Sequence, residues 1–200
     1  MDTIFWDTFF FLFNFGIIFS LPLPISESIE KMKNIVVKWI LAFSLVMGGM
    51  AYAQNSAEKV NTEKAKLPKP YKPEENAEQK LKELMQRAKK EKKNIILQAG
   101  GNWCIWCLRF DNFVNTTPEI KRIVDENYLY YHLNYSKENK NEAVFAKYGD
   151  PGKKHGYPVF IVIDAAGKLL HIQESGSLEA DKSYDVDKVA HFFSQWKPKK

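Results

Sequence analysis

Apolar and polar positions divide the chain into segments of different character. From about Glu74 to Lys92 the residues Ala77, Leu81, Leu84, Met85 and Ala88 recur on one face, which predicts an amphipathic helix. The short run Ile95-Ile96-Leu97 reads as a buried strand, closed by Gly100-Gly101. Thr117 is a good N-cap with Pro118 at the first helical position, and Ile120, Ile123 and Val124 follow on an inner face. Tyr128 to Leu133 alternates enough for a strand, and Val159 to Ile163 is the strongest strand of all. Asp164-Ala165-Ala166-Gly167 is a turn, and Leu169 to Ile172 returns as its hairpin partner. A last helix presents Val186, Val189, Ala190 and Phe193, with Trp196 near its end. The order is helix, strand, helix, helix, strand, short helix, strand, strand, helix. It predicts an α/β domain over 76–200, with a central mixed sheet flanked by helices on both faces.

The first 53 residues follow another pattern. An apolar run over 35–51 follows Lys31 and Lys33 and ends at Ala51-Tyr52-Ala53, the layout of an exported protein's signal peptide, with cleavage expected after Ala53. Met32 is a natural start for that signal. The stretch from Met1 to Lys31 reads either as an upstream extension outside the true coding start or as a marginal membrane segment that would anchor the protein. Residues 54–75 are polar, lysine-rich and punctuated by Pro68, Pro70 and Pro73, which predicts a flexible linker. The domain beyond it is expected in the periplasm or cell envelope.

Charge adds little. The formal net charge is +5, but lysines alternate with glutamates, as in Lys89-Lys90-Glu91-Lys92-Lys93, which suits a solvated helix face rather than a nucleic-acid surface. The cysteine count is more informative. The chain has 2 cysteines, Cys104 and Cys107, so a disulfide framework is excluded. A bridge between them closes a very small loop and constrains the unfolded chain little. The pair is better suited to chemistry than to stapling. Haem attachment would need His after the second cysteine, where Leu108 stands. Zinc would need two more ligands, and His132, His155, His171 and His191 lack the spacing. A pair of inert buried thiols remains open.

Trp103-Cys104-Ile105-Trp106-Cys107, between a buried strand and a helix, resembles the redox motif of the thioredoxin superfamily. Gly156-Tyr157-Pro158, directly before a hydrophobic strand, resembles that family's cis-proline loop. The resemblance covers about Lys80 to Trp196 and is strongest to exported bacterial thioredoxin-like proteins of the Trp-Cys-x-x-Cys type. It implies a thioredoxin-like fold and a redox-active disulfide, with no other cofactor and no metal. A helix starting at Cys104 would put that sulfur against free backbone N–H groups and the positive dipole end. Cys104 then becomes the attacking thiolate and Cys107 the resolving thiol. Trp103, Trp106, Tyr157 and Pro158 are candidates for holding substrate. Trp103 reads equally as packing against the sheet edge. The lysines and histidine of Lys153-Lys154-His155 read either as charge favouring the thiolate or as a solvated loop.

The sequence departs from the family at two places. A buried Asp six residues before the nucleophile is replaced by Gln98, and the Lys expected on the next strand by His132. Gln98 cannot take a proton, so His132 is either a substitute proton relay for Cys107 or an ordinary strand histidine. The reading favoured is a thiol:disulfide oxidoreductase, acting as a reductant on cysteine-bearing exported proteins and recharged by an upstream thiol donor. The competing reading is a binding module, either an adaptor or a soft-metal carrier, without disulfide turnover.

Overall fold

The computed structural model describes residues 30–40 and 58–199. The chain divides into two units, Met1–Asn55 and Ser56–Lys200. In the first unit, residues 30–40 form a helix on which Ile35, Val36, Val37, Trp39 and Ile40 are all exposed. This helix covers the start of the expected signal segment. Its remainder, the cleavage position after Ala53 and residues 1–29 lie outside the described residues. Among the described residues no helix is long and apolar enough to cross a membrane.

The second unit is built on a four-stranded sheet in the order β2-β1-β3-β4. Its strands are β1 (Asn94–Gly100), β2 (Tyr128–Asn134), β3 (Val159–Ile163) and β4 (Leu169–Glu174). β1 pairs with β2 in parallel and with β3 antiparallel, and β4 runs antiparallel to β3. All seven residues of β1 and all five of β3 are buried, because helices cover both faces. Odd residues of β1 (Ile95, Leu97, Ala99) face a core with α2 (Ala77–Glu91) and α5 (Glu142–Lys147). Ile96, with Phe160 and Val162 of β3, faces the opposite core. That core is closed by α3 (Ile105–Thr116), α4 (Pro118–Asn127) and α7 (Val186–Gln195). The expected mixed sheet with helices on both faces is the observed one.

Two parts of the fold differ from the pattern reading. A small hairpin, β5 (Glu179–Ala180) with β6 (Ser183–Tyr184), precedes α7 and buries Tyr184. Strands of two residues are too short to show periodicity. The larger correction concerns the expected linker. Residues 58–66 form a helix, α1, and the chain that follows is seated on the domain. The Arg109 guanidinium donates to both carboxylate oxygens of Glu63 at 2.7 Å. Asn102 accepts from the Tyr71 N–H and donates to the Tyr71 carbonyl, so an amide side chain stands in for a neighbouring strand. Asn139 donates to the carbonyls of Pro73 and Glu75. Tyr71 itself is 2% exposed. The segment lacks a core of its own, but one aromatic ring and a set of side-chain amides are enough to dock it on an existing one.

Candidate active site

β1 delivers the chain to the site. After Gly100 a turn places Cys104 as N-cap of α3, in extended conformation, and its Sγ accepts the Cys107 N–H at 3.1 Å. The expected helix start is thus one residue later than Cys104, and the sulfur occupies the position that usually holds a capping oxygen. The first turn of α3 carries no acidic residue. The positive end of the helix is therefore not offset by a local carboxylate. Cys104 and Cys107 form a disulfide with Cα atoms 5.3 Å apart. The two sulfurs differ in access. Cys104 is 7% exposed and Cys107 is 0% exposed.

The cis-proline loop lies opposite. The Tyr157–Pro158 peptide is cis, as the motif implies, and the Tyr157 carbonyl oxygen is 3.6 Å from Cys104 Sγ. Tyr157 stacks on Tyr135 and meets Trp103 edge-on. Burial pushes its hydroxyl up to about 12. The Tyr157 ring lies so close to Gly152 that a Cβ there would overlap it. Pro158 is buried behind it.

The tryptophans separate in role. Trp103 is 49% exposed, with its Nε1–H donating to the Tyr135 carbonyl at 2.7 Å, so one face is presented outward beside the disulfide. It borders a cleft of about 490 Å³ with Pro73, Asn102 and Tyr135. Trp106 is half-buried, edge-on to Tyr184 and covered by the Arg109 guanidinium 4.8 Å from its ring centre. It packs against the disulfide from inside. Lys153, Lys154 and His155, on the short helix α6 (Pro151–His155), are exposed. Lys153 pairs with Asp150 in its own turn at 2.9 Å.

Beneath Cys107 lies a buried polar cluster that sequence reasoning saw only in part. Gln98 is fully buried and satisfied. Its Nε2 donates to the Cys107 carbonyl and to the Tyr71 hydroxyl oxygen, both at 2.8 Å, and its Oε1 accepts from the Tyr130 hydroxyl at 2.6 Å. His132 stands beside Gln98 across the β1–β2 pairing. Its Nε2 is 2.9 Å from Asp111 Oδ1, close enough for an ion pair but off the line of a hydrogen bond. The Tyr71 ring meets His132 edge-on. Tyr71 closes the cluster over both cysteines. The only hint of Tyr71 in the sequence is a lone aromatic between Pro70 and Pro73 in a polar stretch. Asp111 is legible only as the residue one helical turn after Cys107.

The comparisons with known proteins bear on the fold that carries this site. Residues 76–165 match a family model described as thioredoxin-like. Over 97 residues the chain is 27% identical to a protein of Chlamydia pneumoniae named disulfide bond reductase DsbH, covering 44% of this chain and 56% of that protein. The chain thus spans about half the length of that relative. Among solved structures it resembles one described as a disulphide isomerase from Xylella fastidiosa Temecula1. The TM-score is 0.56 and the identity 22%, covering 64% of this chain and 97% of that one.

Proposed function

We propose that the chain, whose residues 76–165 match a thioredoxin-like family model, is a thiol:disulfide oxidoreductase that reduces disulfides in exported proteins. The observation that carries this reading is the unequal placement of the two sulfurs. Cys104 caps a helix N-terminus beside an open backbone edge, and Cys107 is sealed behind it. In the reduced protein the backbone N–H groups at that terminus favour a Cys104 thiolate over the thiol. The thiolate attacks one sulfur of a substrate disulfide, a new S–S bond forms to Cys104, and the second substrate sulfur leaves with the electron pair. Cys107 then attacks Cys104 Sγ. The internal disulfide forms, the substrate is released as a dithiol, and an upstream thiol donor must reduce the pair again.

The substrate binds as an extended segment along Tyr157 and Pro158, with the exposed face of Trp103 and the adjoining cleft taking the side chains next to the cysteine. Trp106 acts from beneath by holding the disulfide in place. His132, beside Asp111 and opposite Gln98 in the sheet, is the proton relay for the buried thiol. A similarity to a protein named as a disulfide bond reductase supports the reducing direction. Export is supported by the signal-like pattern and by the exposed apolar helix over 30–40. Intact-mass analysis of the envelope fraction should give a mature form beginning at Gln54. A mature form that retains residues 1–31 would instead support anchoring.

The roles of the cysteines are tested by trapping. Cys107→Ser should accumulate mixed disulfides with envelope proteins, and Cys104→Ser should accumulate none and lose disulfide reductase activity. Capture by Cys104→Ser alone would reverse the assignment. Capture by neither, with no reduction of a model disulfide by the native chain, would reject the oxidoreductase reading.

A further inference from the structure

The resolving step needs something at Cys107 that Gln98 does not supply. When Cys107 attacks the mixed disulfide, its thiol proton leaves by way of His132 to solvent, its sulfur bonds to Cys104 Sγ, and the substrate sulfur departs with the electron pair and is protonated by water. Negative charge therefore develops on a sulfur that is 0% exposed. A buried charge without a donor is costly. The Gln98 amide cannot serve, because its Nε2 hydrogens already go to the Cys107 carbonyl and to Tyr71.

The Tyr71 side chain lies beside this sulfur. Its hydroxyl oxygen accepts from Gln98, so its own hydrogen is left to donate elsewhere. Gly100 shows where that hydroxyl sits. A Cβ on Gly100 would lie 2.5 Å from Cys107 Sγ and 2.9 Å from the Tyr71 hydroxyl oxygen, so the two atoms flank the same small space. Tyr71 also shares one buried cluster with both cysteines. Resting on the redox reading above, we propose that the Tyr71 hydroxyl donates a hydrogen bond to the Cys107 sulfur and stabilises its thiolate during resolution. Tyr71 is thus a positioning residue contributed by the segment before the domain. Burial keeps its phenol protonated far above the usual range, so it remains a donor at any working pH. The other titratable groups around the cluster are Asp111 on α3, Tyr130 and His132 on β2, Tyr157 before β3 and Tyr184 on β6. Tyr71→Phe leaves all of them in place.

The test uses the reduced full chain mixed with glutathione disulfide, acid-quenched at intervals, with the Cys104–glutathione adduct counted by intact mass across pH. A hydrogen bond to a charged group is worth about one pKa unit or more. Tyr71→Phe should therefore move the resolution profile about one unit to higher pH. Resolution should be about tenfold slower on the acid side and converge with the native rate on the alkaline side. Should Tyr71→Phe misfold, 3-fluorotyrosine in place of Tyr71 keeps the shape and sharpens the donor, and its profile should move to lower pH. A profile that superimposes on the native one, or is slowed equally at every pH, overturns the proposal. If the native chain itself forms the adduct but never resolves it, the redox reading falls and this proposal with it.

Discussion

Replacing Tyr71 with alanine is expected to destabilise the oxidised domain by about 3–5 kcal/mol, the usual loss for a fully buried aromatic. The ring is 2% exposed and packs on Cys104, Cys107 and His132. Its removal therefore leaves a cavity and one buried Gln98 Nε2 hydrogen without its acceptor, while the other keeps the Cys107 carbonyl. For a domain of this size the loss corresponds to roughly 6–20 °C in Tm. Urea and thermal unfolding of the full chain measure it. Lys72→Ala, an exposed position on the same segment, is the control and should stay within about 0.5 kcal/mol. A Tyr71→Ala loss below about 1 kcal/mol, or equal to the control, would refute the docking of this segment. Residues 58–75 would then be the free linker that their composition suggests.

Gly100→Ala should cost about 1–3 kcal/mol by overpacking, since its Cβ would meet Cys107 Sγ at 2.5 Å. Denaturant midpoints of the oxidised protein check this, and an unchanged midpoint would contradict the tight approach. Glu63→Gln should remove a small stabilisation, under about 1 kcal/mol, because the carboxylate is 41% exposed. Hydrogen bonding to Arg109 lowers the Glu63 carboxyl below its ordinary 4.5, so the contribution is present above that value and lost as pH falls through the lower folded value. Unfolding curves of native and Glu63→Gln chains should accordingly converge in acid and separate toward neutral pH.

What the sequence made legible follows from how much signal each element carries. α2 and β3 are long or purely apolar, and their periodicity places them within a few residues of their observed ends. The disulfide and the cis-proline loop were legible because each is a local motif whose residues are contiguous. Tyr71 was not, since its importance lies in contacts with Gln98 and His132, which are distant in sequence and meet it only after the sheet forms. The same holds for Asn102 and Asn139, whose amides pin the segment but look like loop residues in a string. Gln98 was recognised as a departure. That it would be neutral, buried and fully bonded needed the three partners to be seen together.

The register of the sheet has a consequence for how the site can vary. Ala99 near the end of β1 is paired with Val159 at the start of β3. One strand leads to Cys104 and the other follows the cis-proline loop. The distance between Cys104 Sγ and the Tyr157 carbonyl is thus set by hydrogen bonds between the two central strands, the last part of such a fold to open. Fluctuation or substitution in α1, in the cleft beside Trp103 or in the β5–β6 hairpin leaves that spacing untouched. The periphery can drift in sequence while the ruler between Cys104 and the cis-proline loop stays fixed.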